Sequence, residues 1–285
     1  NIMRKIHLII LAVLIAFMAA ACYVPGADSS ENESKVQVVV EDAQIDAPVA
    51  RRVRVEEKGI DYYFPDRKPD DTDWIASSTN VEYDENEYLL ALQEAESSYI
   101  EGITLVDQFP DLPTGCEVTA LELALKYEGY DVDRFKLCDE YLDKSDTGTG
   151  NPFKSFIGNP RSKNGLGCYA QAITECARNA GAQAVNISEC KFSEILKYVN
   201  DGNPVIIWAT VAMKPSTIGS VKWYNADNVL VKYNGQEHCI VLAGMNLDKR
   251  KVYIADPYYG KIMEYDMHTF YQRWVEQYKQ AVVVY

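Results

Sequence analysis

The spacing of apolar positions changes near residue 99. Beyond that point, Val- and Ile-rich runs bounded by turn residues are typical of strands, and apolar residues three or four positions apart are typical of helices with one buried face. Because most of the helices precede most of the strands, we expect an α+β domain with a helical half packed on an antiparallel sheet. The pattern predicts a strand over 103–109, helices over about 116–128, 168–180 and 192–200, and strands over 204–210, 238–245, 251–256 and 280–285.

The helix over 116–128 has the clearest pattern. On one side, Glu122 and Lys126 stand four residues apart, a spacing that allows an ion pair along the helix. Gly129 is a natural helix terminator. We therefore expect a helix that begins near Cys116 and buries the face formed by its apolar residues, which are Val118, Leu121, Ala124 and Leu125.

The first 98 residues have a different character. Residues 3–22, MRKIHLIILAVLIAFMAAAC, combine a basic start, an apolar run of about fourteen residues and small residues before a cysteine, which is the plan of a secretory signal. Residues 23–98 are acidic and show no sustained period apart from a short helical pattern, EYLLALQEAESS. The predicted organisation is a signal over 1–22, an acidic and partly disordered linker or stalk over 23–98, and one domain over 99–285.

The residues around Cys22 indicate how the protein is attached to the cell surface. The sequence Ala19-Ala20-Ala21-Cys22 resembles the end of a bacterial lipoprotein signal, in which lipid is attached to the cysteine after cleavage. Ordinary signal cleavage and an uncleaved anchor are the alternatives. All three place the rest of the chain outside the cytoplasm, so we expect an extracellular, cell-surface protein with Cys22 as candidate lipid anchor to the membrane.

Charge and cysteine content narrow the function classes. A formal net charge of −14 argues against a nucleic-acid partner, which would require clustered Lys and Arg. The six cysteines after Cys22 have no regular spacing, and the domain is large enough to fold without disulfides. We therefore expect mostly free thiols, one of them chemically special.

Cys116 is the candidate nucleophile. It follows a Pro/Gly turn and stands at the start of the predicted helix, where unpaired backbone N–H groups favour a thiolate. Gln108, just before the turn, is a candidate oxyanion donor, together with the Cys116 backbone N–H. Cys168 is the rival nucleophile, since it also follows glycines at a predicted helix start. The remaining cysteines are expected in the core: Cys138, Cys176, Cys190 and Cys239.

His238 is the candidate base, because His7 lies in the signal and His268 in a segment expected at the surface. Pairing the strands over 238–245 and 251–256 as a hairpin brings His238 opposite a residue near 256 or 257, within reach of the Asp256 carboxylate. A shift of one residue in register would put the two side chains on opposite faces. Together these residues predict a Cys116 nucleophile, a His238 base and acid, and an Asp256 that orients the imidazole.

Five segments in this order resemble the C39-like peptidase family, a papain-like cysteine peptidase group related to bacteriocin leader peptidases. They are QFPDLPTGCEVTALELAL, GNPRSKNGLGCYA, GNPVIIWAT, EHCIVLAG and IADPYYG, and the resemblance covers about residues 100–285. It implies a papain-like fold with the same four residues in the same roles. Gln108 lies eight residues before Cys116, two more than is usual in papain-like pockets, so the intervening turn must absorb two residues.

The sequence therefore predicts an exported papain-like cysteine peptidase that hydrolyses peptide or related amide bonds in a peptide or protein substrate through a Cys116 acyl-enzyme, without a metal or other cofactor. One alternative is an amidase or transamidase acting on cell-wall peptides. The other is a non-catalytic peptide-binding surface module.

Overall fold

The computed structural model describes residues 37–39, 45–63 and 82–285, with only the backbone at 37–39 and no Asp61 side chain. The predicted signal and the candidate lipid anchor at Cys22 lie outside these residues. In the described part, no helix combines the length and the apolar character that crossing a membrane requires.

The helices are numbered here in chain order. A π-helical turn, Leu137–Tyr141, extends the short helix Arg134–Lys136, and a 3-10 turn, Val211–Met213, follows the strand Val205–Thr210. The helices are α1 (Val55–Lys58), α2 (Ile60–Tyr63), α3 (Glu85–Glu94), α4 (Cys116–Glu128), α5 (Arg134–Lys136), α6 (Ala170–Asn179), α7 (Phe192–Asn200) and α8 (Met267–Glu276).

The described strands, also numbered in chain order, are β1 (Gln37–Val39), β2 (Ser98–Tyr99), β3 (Lys144–Ser145), β4 (Phe156–Ile157), β5 (Ala184–Asn186), β6 (Val205–Thr210), β7 (Val221–Tyr224), β8 (Leu230–Tyr233), β9 (Glu237–Asn246), β10 (Lys251–Asp256), β11 (Lys261–Asp266) and β12 (Ala281–Val284). Most of them form one antiparallel sheet with the order β1-β11-β10-β9-β6-β12-β5, to which β2 adds beside β9. Two strand pairs, β3 with β4 and β7 with β8, stand apart from it.

Helices cover both faces of the sheet, which explains why β9 is buried along its whole length. Alternate residues of a strand point to opposite faces. Val241 packs in the core that contains α4 and α6, whereas Leu242 packs in the core that contains α7 and α8. The alternation is interrupted once, by a bulge: Tyr253 of β10 pairs with Gly244, but the next residue, Ile254, pairs with Leu242.

The predicted α+β class is confirmed, and most predicted elements lie within two residues of the observed ones. Helix α4 has the predicted bounds, and Glu122 forms the expected ion pair with Lys126. The strand predicted over 103–109 is wrong, because this segment runs as coil over the surface with Leu105 exposed. The backbone N–H of Gln108 bonds to the Pro257 carbonyl in a turn rather than to a neighbouring strand.

Parts of the predicted linker pack on the domain. Val55 and Tyr63 are buried, and the Tyr63 ring stacks on Tyr198 of α7 with centroids 3.9 Å apart. The Val53 N–H donates to the Asp201 carbonyl. The described stretches 45–63 and 82–97 therefore contribute to the core, and the division at residue 99 stays a prediction.

Candidate active site

The start of α4 is held by close packing around Gly115. A Cβ at this position would lie 2.7 Å from Leu112 Cβ and 3.3 Å from Pro160 Cβ, so only glycine fits. Thr114 Oγ1 donates to the Ser162 carbonyl at 2.9 Å. These contacts fix the first turn of the helix and leave Cys116, at its N-terminus, only 4% exposed.

The Cys116 thiol lies against a buried carboxyl group. Its Sγ donates to Glu117 Oε2 at 3.4 Å, and the other oxygen, Oε1, accepts from the Cys168 backbone N–H at 2.8 Å. Glu117 is completely buried, and burial raises the pKa of its carboxyl to about 7, although hydrogen bonds and the charge of His238 act in the opposite direction. The hydrogen bond from Cys116 and the charge of His238 therefore both lower the pKa of the Glu117 carboxyl, against the larger effect of burial.

His238 and Asp256 form a buried pair. His238 Nε2 lies 2.7 Å from Asp256 Oδ1, and each residue is only 2% exposed. Asp256 Oδ1 also accepts the Tyr258 N–H at 2.8 Å, and its Oδ2 lies 3.5 Å from the Tyr265 hydroxyl. With Nε2 bonded to the carboxylate, Nδ1 is the imidazole nitrogen left to exchange a proton.

Gln108 links the turn before Cys116 to the turn after Asp256. Its backbone N–H donates to Pro257 O at 2.9 Å, and its side-chain Nε2 donates to Pro113 O at 3.1 Å and to Leu112 O at 3.4 Å. The 108–115 loop thus folds back, as the eight-residue spacing requires. Because Nε2 is bonded to backbone carbonyls, donation to an oxyanion requires the amide to leave one of them.

Glu237 is a second buried carboxyl that the sequence reasoning missed. Its Oε2 accepts from the Tyr233 hydroxyl at 2.9 Å, and Oε1 is buried without a hydrogen-bond partner among the described residues. Burial and the charge of Glu117 hold the pKa of Glu237 well above its usual range. The sequence contains one indication of these acids: Glu117 directly follows the candidate nucleophile, and Glu237 directly precedes the candidate base.

Glu117 and Glu237 enclose Gly167. A Cβ on Gly167, which has a φ of +138°, would lie 2.8 Å from Glu117 Oε1, 2.8 Å from Glu237 Oε2 and 2.2 Å from the Tyr233 hydroxyl. Donor atoms of Cys116, Glu117 and Glu237 lie within 4.8 Å of one another, and among the described residues this is the group that could hold a metal ion.

The other residues considered from the sequence were Cys168, as a rival nucleophile, and His268, as a surface residue. Cys168 is completely buried, and burial together with the charges of Glu117 and Glu237 raises the pKa of its thiol well above the usual range. This disfavours the rival nucleophile. His268 is partly exposed and bonds to Glu85, as expected for a surface residue. All six described cysteines are free and buried, which agrees with the expectation of free thiols.

A family profile and a solved structure at 29% identity indicate the same family. Residues 100–282 match the sequence profile of the Peptidase_C39 like family. An uncharacterised protein of Bacillus subtilis, YvpB, is 30% identical over 180 residues, which are 61% of this chain and 70% of that protein. A crystal structure of a candidate C39-like peptidase from Bacillus anthracis is 29% identical, with a TM-score of 0.58, and the match covers 67% of this chain and 98% of that one. The peptidase domain of the Streptococcus transporter ComA matches at 16% identity and a TM-score of 0.40, over 64% of this chain and 98% of that one.

Proposed function

Since the chain belongs to the Peptidase_C39 like family, we propose that it is an active thiol hydrolase that cleaves peptide or related amide bonds, with Cys116 as nucleophile, His238 as base and acid, and Asp256 as the residue that orients the imidazole. The observation that carries the proposal is the buried 2.7 Å contact between His238 Nε2 and Asp256 Oδ1. It fixes one ring nitrogen and leaves the other for proton transfer, in a fold that holds Cys116 at a helix N-terminus.

The proposed reaction has two steps. In the first, the Cys116 thiol proton passes to His238, and the sulfur attacks the substrate carbonyl. The imidazolium then gives this proton to the leaving amine as the C–N bond breaks, which leaves an acyl group on the sulfur. In the second step His238 takes a proton from water, and the hydroxide adds to the acyl carbon. The C–S bond then breaks, which releases the acid, and the imidazolium returns its proton to the sulfur.

The tetrahedral oxyanion of each step requires hydrogen-bond donors. The Cys116 backbone N–H belongs to the first turn of α4, where the helix dipole favours a developing negative charge. Gln108 Nε2 supplies the second donor after exchanging the Pro113 carbonyl for the oxyanion. We expect Gln108→Ala to lower kcat by about 10²–10³-fold, the usual cost of losing one such donor.

The decisive experiment combines a thiol-directed peptide probe with profiling of peptide substrates. Wild-type protein should react with the probe and turn over a subset of peptides, whereas Cys116→Ala should do neither. Cys190→Ala removes a buried cysteine in the core on the other side of the sheet and is the matched control. A folded wild-type protein that neither labels nor cleaves any peptide would refute the proposal and favour a peptide-binding module. Cleavage of peptidoglycan stem peptides alone would favour the amidase alternative.

Export and surface anchoring are a separate part of the proposal, supported by the apolar segment over 3–22. Expression of the full chain in a bacterial host, followed by fractionation and mass analysis of the mature N-terminus, tests them. Lipid on Cys22 and loss of membrane association in Cys22→Ala are expected. An unmodified chain that retains residues 3–22 in the cytoplasm would contradict both.

A further inference from the structure

Three side chains of the site form a compact group from two elements. Cys116 and Glu117 begin α4, and Glu237 begins β9. One donor atom from each lies within 4.8 Å of the other two, and the Cys116 Sγ to Glu117 Oε2 distance is 3.4 Å. The proposed hydrolysis uses the thiol but neither carboxyl group, so the burial of two acids here calls for another explanation.

The size of the group fits a small metal ion. Any three points no more than 4.8 Å apart fit within a circle of about 2.8 Å radius, so shifts of less than about 1 Å would bring the three atoms to ordinary Zn–S and Zn–O lengths of about 2.3 and 2.0–2.2 Å. In a tetrahedral zinc site with those lengths, sulfur and oxygen ligands stand about 3.5 Å apart. The observed 3.4 Å edge between Cys116 Sγ and Glu117 Oε2 agrees with this spacing.

The hydrogen bonds leave one oxygen of each carboxylate available. Glu117 Oε1 is held by the Cys168 N–H, while Oε2 faces the thiol. Glu237 Oε2 is held by the Tyr233 hydroxyl, while Oε1 is buried and has no hydrogen-bond partner among the described residues. Carboxylates that bind metals are commonly oriented in this way, with the outer oxygen bonded to a protein donor.

The charge balance also favours a cation. Glu237 is 5% exposed and Glu117 fully buried, yet neither belongs to any ion pair of the described residues. The charge of His238 acts on Glu117, but neither carboxyl group forms an ion pair with a described residue, and buried charges without such a pair are costly. A thiolate ligand selects a soft or borderline metal over Mg²⁺ or Ca²⁺, which prefer oxygen ligands.

We propose that Cys116, Glu117 and Glu237 bind one thiophilic divalent cation of the Zn²⁺ type, and that the bound ion blocks the Cys116 thiol. On binding, the thiol proton leaves to solvent as the metal–sulfur bond forms, and any proton on the carboxyl groups leaves with it. The fourth position stays open for water. Binding of the ion does not depend on the proposed hydrolysis, whereas inhibition of turnover can be observed only if the proposed hydrolysis occurs.

The test is a titration of the reduced, metal-free full chain with Zn²⁺ alone, in competition with a chromophoric chelator, alongside alkylation of Cys116 by iodoacetamide. We expect one ion per chain and at least about tenfold slower alkylation at saturation. Cys116→Ala and Glu237→Gln should each weaken binding by at least about tenfold, since even outer partners of a metal site contribute 10–100-fold. Tyr233→Phe keeps all three ligands and covers the case in which a ligand variant does not fold. Loss of the hydroxyl that holds Glu237 Oε2 should weaken Zn²⁺ binding by about tenfold, and an unchanged affinity would count against the site.

Cys190→Ala and Glu175→Gln are the matched controls, because they change a cysteine and an exposed acid away from the group. Both should bind Zn²⁺ as the wild type does. The inference would be overturned if the wild type did not bind Zn²⁺. It would also be overturned if folded Glu237→Gln bound Zn²⁺ with the same affinity as the wild type, because the site would then form without this acid. A protein that cleaves peptides but ignores Zn²⁺ refutes the metal site alone, whereas one that binds Zn²⁺ but cleaves nothing refutes the proposed hydrolysis alone.

Discussion

Replacement of Gly167 by alanine tests whether the two buried acids are packed as the structure describes. The new Cβ would lie 2.2 Å from the Tyr233 hydroxyl and 2.8 Å from oxygens of Glu117 and Glu237. Gly181→Ala is the control, because Gly181 also has a positive φ, +88°, but nothing lies within 4 Å of the added atom. Both variants place an L-residue at a positive φ that L-residues rarely adopt, at a cost of about 1–3 kcal/mol each.

The difference between the two variants measures the steric contact. Overpacking a tight site costs about 1–3 kcal/mol, so Gly167→Ala should lower the free energy of unfolding by that much more than Gly181→Ala does. For a chain of this size the additional loss corresponds to about 2–12 °C in Tm. Urea denaturation followed by tryptophan fluorescence measures the free energy, and differential scanning calorimetry measures Tm.

The same substitution reports on the site. Tyr233 or one of the carboxyl groups must move to admit the methyl group, and Glu117 contacts the Cys116 thiol. Folded Gly167→Ala should therefore alkylate at Cys116 at a changed rate, whereas Gly181→Ala should match the wild type. Equal destabilisation of the two variants would refute the described packing around Gly167.

Three further results are expected. Asp256→Asn should lower kcat/KM for a peptide substrate by about 10²–10⁴-fold with little change in KM, because the base loses its orientation; an unchanged kcat/KM would remove Asp256 from the mechanism. In metal-free buffer, stability should fall as pH rises from about 4.5 to 7, because burial raises the pKa of Glu117 to about 7 and the folded state keeps a proton that the unfolded state loses. Glu117 contributes about 3 kcal/mol to this loss, and Glu237, whose pKa is also raised, contributes in the same direction. Glu117→Gln should therefore reduce the slope in urea titrations without abolishing it; an unchanged slope would contradict the burial of Glu117. Tyr63→Ala should lower the free energy of unfolding by about 3–5 kcal/mol, as for other buried aromatic residues, and replacement of the more exposed Tyr62 by alanine should lower it clearly less. Equal losses for the two variants would indicate that the segment 45–63 is not packed in solution.

Local patterns were enough to predict helix α4 and the hairpin of β9 and β10, which carry the candidate site. Helix α4 depends on apolar residues four apart and on a terminating glycine, all within thirteen residues, so its bounds follow from the sequence. The hairpin of β9 and β10 likewise follows from two Val/Ile-rich runs joined by a short turn. These elements need no knowledge of distant contacts, whereas the shared face of His238 and Asp256 also depends on the bulge in β9, which no local pattern indicates.

What the sequence did not predict depends on contacts between distant segments. Residues 103–109 are apolar enough to read as a strand, but no strand of the described residues pairs with them. Glu117 would be read as an acid that favours a helix N-terminus, as acids in a first turn usually do. Its burial depends on the Cys168 backbone, fifty-one residues further along the chain, and neither local pattern nor composition contains that information.

The bulge in β9 decides which face of the sheet receives Asp256. Counted from the turn at 247–250 with unbroken alternation, Asp256 would pair with Val241, on the face opposite to His238. The extra residue, Ala243, reverses the phase, so that Ala255 pairs with Val241 and Asp256 shares a face with His238. The hairpin can therefore change length in its turn without harm. Deletion of a single residue within the ladder, by contrast, would turn the carboxylate away from the imidazole while leaving every residue of the triad in the sequence.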